Sequence, residues 1–437
     1  MVGFASLSTQ QTPPFRVPMR FFLSAPLFMG LAGLLLMMAD PLLLQDRWSP
    51  PLLALTHLWV LGMMLVVMLG ALQQVVPVLV GVTLANPERT SFWSHLLLVP
   101  GILLLAAAFL WSLPGLFLPA ALLLVSSVLL VVGATYLAMQ GATSSHATVW
   151  GIRLALLALK LTVLLGAWLA LGHAGLVLLR REWTDMHLAG GLLGWSVLLI
   201  SAVAWQVVPM FQLTPRYPLP VMRGFAPALA GSLVLWMAGR WWLDLPSVEL
   251  AGAAAVSVAL ALFALETLWL QHRRKRRIAD ATLDFWRLSM VSLLSAMVLW
   301  WLARAGWRVP GFLLGELFAA GFIGSAILGM LYKIVPFLVW LHLTNRLQEM
   351  GELPRGIPNM KQVIPASRSR WLFRLYLGWM LLLLALPFWP SRLTLPAGIL
   401  LLLIALLLGW HLLSATRLYH RHLAEIERKR REAGSPP

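Results

Sequence analysis

Twelve apolar stretches, most of them close to the roughly 20 residues a bilayer-crossing helix requires, follow one another along this chain. They lie at about 21–39, 51–76, 93–111, 116–138, 149–172, 187–211, 225–243, 248–270, 285–304, 311–341, 371–389 and 395–415. In hydrocarbon every backbone N–H and C=O must be satisfied within the protein, so runs of this length can only be helices. The expected fold class is therefore all-α, a polytopic membrane protein of twelve transmembrane helices. Composition agrees: 60% of the residues are hydrophobic, only 11% are charged, and the mean hydropathy is +0.83, far from soluble usage. The longest break, about 344–370, is short and rich in charge, Gly and Pro, so residues 1–437 read as one membrane domain with a basic tail at 417–437. The first stretch follows Arg16 and Arg20 and precedes no small-residue cleavage site, which reads as a retained span.

Basic residues set the orientation, because Lys and Arg accumulate on the cytoplasmic side. With both termini inside, 23 of the 33 Lys and Arg fall on cytoplasmic segments and seven outside, while Arg153, Lys160 and Lys333 lie within spans. This bias accounts for the net charge of +17 without nucleic acid as a partner. The run from Arg273 to Arg277 reads as a topology anchor against anionic lipid. The chain has no cysteine, which removes disulfides and thiolate metal sites; a metal would need His, carboxylate, Met or a cofactor's own nitrogens.

An internal repeat lies over the spans. Gly62 to Pro77, Gly194 to Pro209 and Gly321 to Pro336 each enclose fourteen residues, with Gln74, Gln206 and Lys333 three positions before the proline. Ahead of each glycine stands an ionisable residue, His57, His187 or Glu316. The repeats fall on the second, sixth and tenth spans, so the chain parses into three four-helix units, at about 20–140, 147–270 and 283–416, related by a pseudo-threefold axis. His57 and Glu316 lie twenty residues before their prolines and His187 twenty-two. That offset is about 200° of helix rotation, unless Gly190 and Gly191 distort the turn.

Under this topology His57, His187 and Glu316, joined by His173 from the end of the fifth span, form an outer polar layer. Gln74, Gln206 and Lys333 form an inner one, about 25 Å deeper along the helices. An intramembrane imidazole points by default to function, so His57 and His187 read as cofactor or metal ligands and His173 as a further metal ligand; the bland alternative is a bond to a carbonyl or water. Glu316 reads as a ligand, a proton-transfer carboxylate or a snorkelling group. Lys333 reads as part of a polar path without a carboxylate partner in its repeat, or as a side chain snorkelling to the headgroups. His95, His146, His272, His342, His411, His420 and His422 read as solvated groups of the cytoplasmic side and tail.

Twelve spans in three four-helix units, with His57 and His187 near the outer face, resemble the catalytic subunit of the haem-copper oxidase superfamily, including its nitric-oxide-reducing members. His57 with Gly62, Gly70, Pro77 and Gly81 is also similar to the NnrS-type membrane proteins, and His187 through QVVPMFQLTPRYP resembles oxidase-like bacterial membrane proteins. The resemblance implies haem b or copper as cofactor, His57 as a haem ligand, His187 as a copper ligand, and a respiratory-chain or cytochrome partner. The chain departs from the family in two places. Glu316 stands in the region of the tenth span's His-x-His pair, and Arg223 to Leu243 holds no histidine where the seventh helix normally brings a His-His pair. The resemblance therefore implies electron transfer, gas or nitric oxide response, or haem or copper handling, in place of oxygen reduction. Two other classes fit the same pattern: a transporter or channel running through the two polar layers, and a cofactor-less assembly subunit of a respiratory complex.

Overall fold

The computed structural model describes residues 12–42, 44, 46–142, 147–275, 278 and 280–432. His146, Arg276, Arg277 and the last five residues of the tail lie outside them. Among the described residues there is no β-strand. The long helices are α1 (Arg16–Met38), α2 (Pro50–Val80), α3 (Pro87–Leu110), α4 (Pro114–Gln140), α5 (Ala147–His173) and α6 (Arg181–Gln212). They continue with α7 (Leu219–Trp242), α8 (Pro246–His272), α9 (Ala281–Arg304), α10 (Gly311–Glu349), α11 (Ala366–Ala385) and α12 (Pro390–Glu432). Eleven are long and apolar enough to cross a membrane. The exception is α11, expected at 371–389, whose first half carries Arg368, Arg370 and Arg374. The other departure is at the C-terminus. The basic segment continues α12 as helix to Glu432 and packs back on the bundle, with Tyr419 stacked on Phe15 at 4.0 Å and Glu427 3.7 Å from Arg346.

Helix contacts recur after every four helices. α1 packs on α2, α5 on α6 and α9 on α10; α3 packs on α4, α7 on α8 and α11 on α12. The last helix of each group packs on the first of the next, α4 on α5 and α8 on α9, and α12 closes the circuit on α1.

Small residues set the closeness of the first pairing. A methyl group at Gly70 would lie 2.7 Å from Phe21 Cβ and one at Gly329 2.8 Å from Phe285 Cβ, so both glycines seat a phenylalanine of the preceding helix. At the same register of α6 stands Ala202, and its partner on α5 is Gly151, so the larger and smaller residues have exchanged sides. The other seats are Gly62 against Phe28, Gly194 against Ala158 and Gly321 against Ser292. The partners stand seven residues apart in every case, at 21 and 28, 151 and 158, 285 and 292. Between helices in lipid, where apolar surface gains nothing by leaving water, such fitted contacts supply the association energy.

Each repeat glycine ahead of these seats also lies in a π-helical segment: Val60–Leu65, Gly190–Val197 and Glu316–Gly324. A π turn displaces carbonyls from their α-helical donors, and inside a membrane other groups must satisfy them. In α10, Trp59 Nε1 donates to the Ala319 carbonyl at 3.3 Å, Tyr376 Oη to Ala320 at 2.8 Å and Ser289 Oγ to Phe322 at 2.7 Å. In α6, Ser196 Oγ donates to Gly191 at 2.9 Å. The π segment of α10 touches those of α2 and α6, which brings the three repeat helices together.

Candidate functional site

His57 lies just ahead of the first π segment. Its Nδ1 is 2.7 Å from the Leu53 carbonyl, one turn back on α2. A carbonyl only accepts, so Nδ1 carries the hydrogen and Nε2 keeps its lone pair. The ring stacks on Phe109 of α3 at 5.3 Å and 25°. Phe109 then meets the ring of His173 edge-on at 5.3 Å, and His173 stacks on Phe117 of α4 at 5.2 Å. Alternating imidazole and phenyl rings thus join α2, α3, α4 and the end of α5.

His187 turns to α5. Its Nδ1 is 3.1 Å from the Thr162 carbonyl, which again leaves Nε2 free, and the ring lies over Gly166, where a methyl group would stand 2.7 Å from Cε1. The register offset explains this direction. Thr184–Ala189 is regular α-helix and the π segment starts only at Gly190, so nothing between 187 and 189 undoes the rotation. Ala189, buried, holds the position equivalent to His57 and Glu316. His57 and His173 flank the same ring, that of Phe109.

Glu316 opens the third π segment and is only 7% exposed, so it neither faces lipid nor snorkels. Neither carboxyl oxygen meets a hydrogen-bonding group of the described residues. That is an expensive arrangement for a permanent charge and suits a group that exchanges a proton or a ligand. Among the described residues no three His, Asp or Glu side chains converge as a metal-ligand group. Within the outer layer, the rings of His57 and His173 share Phe109, His187 bonds to α5, and Glu316 is buried on α10.

The inner layer is corrected at Lys333. Its Nζ is 2.6 Å from Asp280 Oδ2, and the other oxygen of Asp280 caps α9 by accepting from Thr282 N at 3.0 Å. The lysine ties α10 to the start of α9. Gln74 is 4% exposed, its amide unpartnered among the described residues, and Gln206 is half-buried. Between their helices lies an apolar pocket of ≈ 80 Å³, whose wall at this level is Val75, Val207 and Ile334, one residue beyond the polar positions. Gln74, Gln206 and Lys333 do not line it. We expect Lys333→Met and Asp280→Asn each to lower thermal stability by no more than about 1 kcal/mol, the range of a half-exposed pair. The double variant should be no worse than the singles, measured as melting in detergent.

Among the polar pairs that sequence reasoning missed is one on α12, and His95 and His342, also read as solvated, bond to Ser24 Oγ and to the Pro13 carbonyl. His411, expected to be solvated, is fully buried on α12, its Nδ1 2.7 Å from Tyr332 Oη, and its Nε2 has no partner among the described residues. Tyr332 stands at the repeat position of Gln73 and Trp205, and all three are buried. The signal was that shared position: a residue facing inward in two repeats should face inward in the third. The hydroxyl of Tyr376 and the indole of Trp59, which satisfy the α10 π segment, had no signal beyond being aromatics with a polar tip.

No protein-family model and no curated protein sequence matches this chain.

Proposed function

We propose that this chain is an oxidase-like protein of the bacterial inner membrane, with both termini cytoplasmic, in which His57 holds the iron of a haem b near the periplasmic face. Its role on this reading is electron transfer, gas or nitric oxide response, or haem handling, with a respiratory-chain or cytochrome partner. The observation that carries the reading is the Nδ1–H bond of His57 to the Leu53 carbonyl, repeated at His187 with Thr162. A backbone carbonyl on one ring nitrogen fixes the tautomer and presents the other as a ligand. Haem fits better than a bare copper or other metal ion, because no three protein ligands converge among the described residues, while a porphyrin brings four nitrogens and needs only one or two axial ligands.

A haem bound here would supply one-electron chemistry or a coordination position for a small gas. The chain's own part is to hold the imidazole: Leu53 orients it, and the Phe109 face keeps water from its ring. The recurrent helix contacts and the exchanged Gly70, Ala202 and Gly329 seats support three four-helix units about one axis. The apolar wall of the axial cavity argues against the rival reading of an ion path along that axis, since an ion there would find no polar partner. Purified in detergent, the protein should show a Soret band that shifts on reduction, and iron in near-stoichiometric amount. A colourless, metal-free preparation after expression with haem supplied would replace this reading with that of a cofactor-less assembly subunit.

A further inference from the structure

We propose that the cavity on the axis is a binding site for a small uncharged gas molecule. Its wall comes from the same positions of all three repeat helices: Val67, Leu199 and Ala326; Met68, Ile200 and Ile327; Ala71, Val203 and Met330; Val75, Val207 and Ile334. Leu72, Leu331 and Trp286 complete it, and no polar atom reaches the surface. A retained water needs two to four polar partners, and cavities of this kind stay dry and take up apolar solutes.

Size and chemistry then restrict the occupant. One water-sized sphere needs about 10–15 Å³ of such space, so ≈ 80 Å³ has room for a few small atoms and none for a haem. Ions are excluded by the cost of desolvation without a partner. What remains is a small uncharged solute, held by dispersion against the apolar side chains. Met68 and Met330 contribute polarisable thioethers that adapt to it. The nearest wall residue, Val67, lies ten positions beyond His57, about 15 Å along α2, so the cavity is a separate site from the outer imidazoles. It goes beyond the haem reading and does not rest on it.

Xenon is the probe. Crystals of the full chain pressurised with xenon should show an anomalous peak on the axis between Ala71, Val203 and Met330. In solution, ¹²⁹Xe exchange should report a saturable site whose affinity falls at least tenfold in Ala71→Leu, which fills the cavity. Val298→Ala, on the open groove between α8 and α9, should leave that affinity unchanged. A wild-type crystal with xenon only at the lipid-facing groove overturns the proposal. So does a folded Ala71→Leu variant with unaltered affinity, and the wild-type crystal decides the matter if that variant fails to fold.

Discussion

Gly33→Leu should cost the fold more than any other single substitution considered for this protein. A methyl group at position 33 would lie 2.9 Å from the Gly398 carbonyl oxygen and 2.9 Å from Leu402 N, both of them backbone atoms of α12. From the other side, a methyl at Gly398 would meet Met37 and stand 2.7 Å from the Gly33 carbonyl oxygen. Backbone cannot rotate aside as a flexible side chain can, so a leucine must separate α1 from α12 and open the circuit of helices where its two ends join. Overpacking a fitted core costs about 1–3 kcal/mol even where neighbours can adjust, and we expect at least about 3 kcal/mol here, read as loss of the monodisperse peak after mild heating. Gly133→Leu, on α4 where nothing lies within 4 Å, is the control and should melt with the wild type. Equal loss in both variants would mean that added bulk alone, and not the glycine crossing, sets the effect.

Replacing His57 by alanine should abolish the haem spectrum of the purified protein. The substitution removes the imidazole that the Leu53 carbonyl orients, and nothing else on α2 replaces its Nε2. His187→Ala should reduce haem occupancy less, because that ring faces α5 across Gly166. His422→Ala, on the basic C-terminal extension of α12 beside Glu425, should leave the spectrum as it was. His57→Ala also removes the stack on Phe109, so helicity and melting must be recorded alongside; a folded variant that keeps the wild-type Soret band would end the case for His57 as ligand. If the wild type is colourless the comparison has no signal, which is a different failure.

Much of the candidate site was legible as position but not as direction. The spacing from glycine to proline placed His57 and Glu316 at one register, and the two-residue offset gave warning that His187 would turn elsewhere, as it does toward Thr162. Spacing could not give the partner of Lys333. Asp280 lies fifty-three residues away, ahead of α9, in a loop that reads only as polar. Nor could it single out His411 among the histidines read as solvated, since α12 between Leu395 and Leu413 is apolar on every side and polarity does not mark its buried face.

The amino-acid sequence by itself determined the class and the list of helices, because hydrocarbon leaves an apolar run no conformation but one that bonds its own backbone. It also determined the repeat, whose glycines are tied to their positions by the π turns and close seats they permit. Only the tertiary structure decided which surfaces meet: Phe21 and Phe285 seated in Gly70 and Gly329, the exchange of sizes at Gly151 and Ala202, and the closure of α12 on α1. The reason is physical. In a soluble helix the buried face announces itself by contrast with water, but lipid is as apolar as a protein core, so the packed face of a membrane helix is chosen by the shapes of residues far apart in the chain.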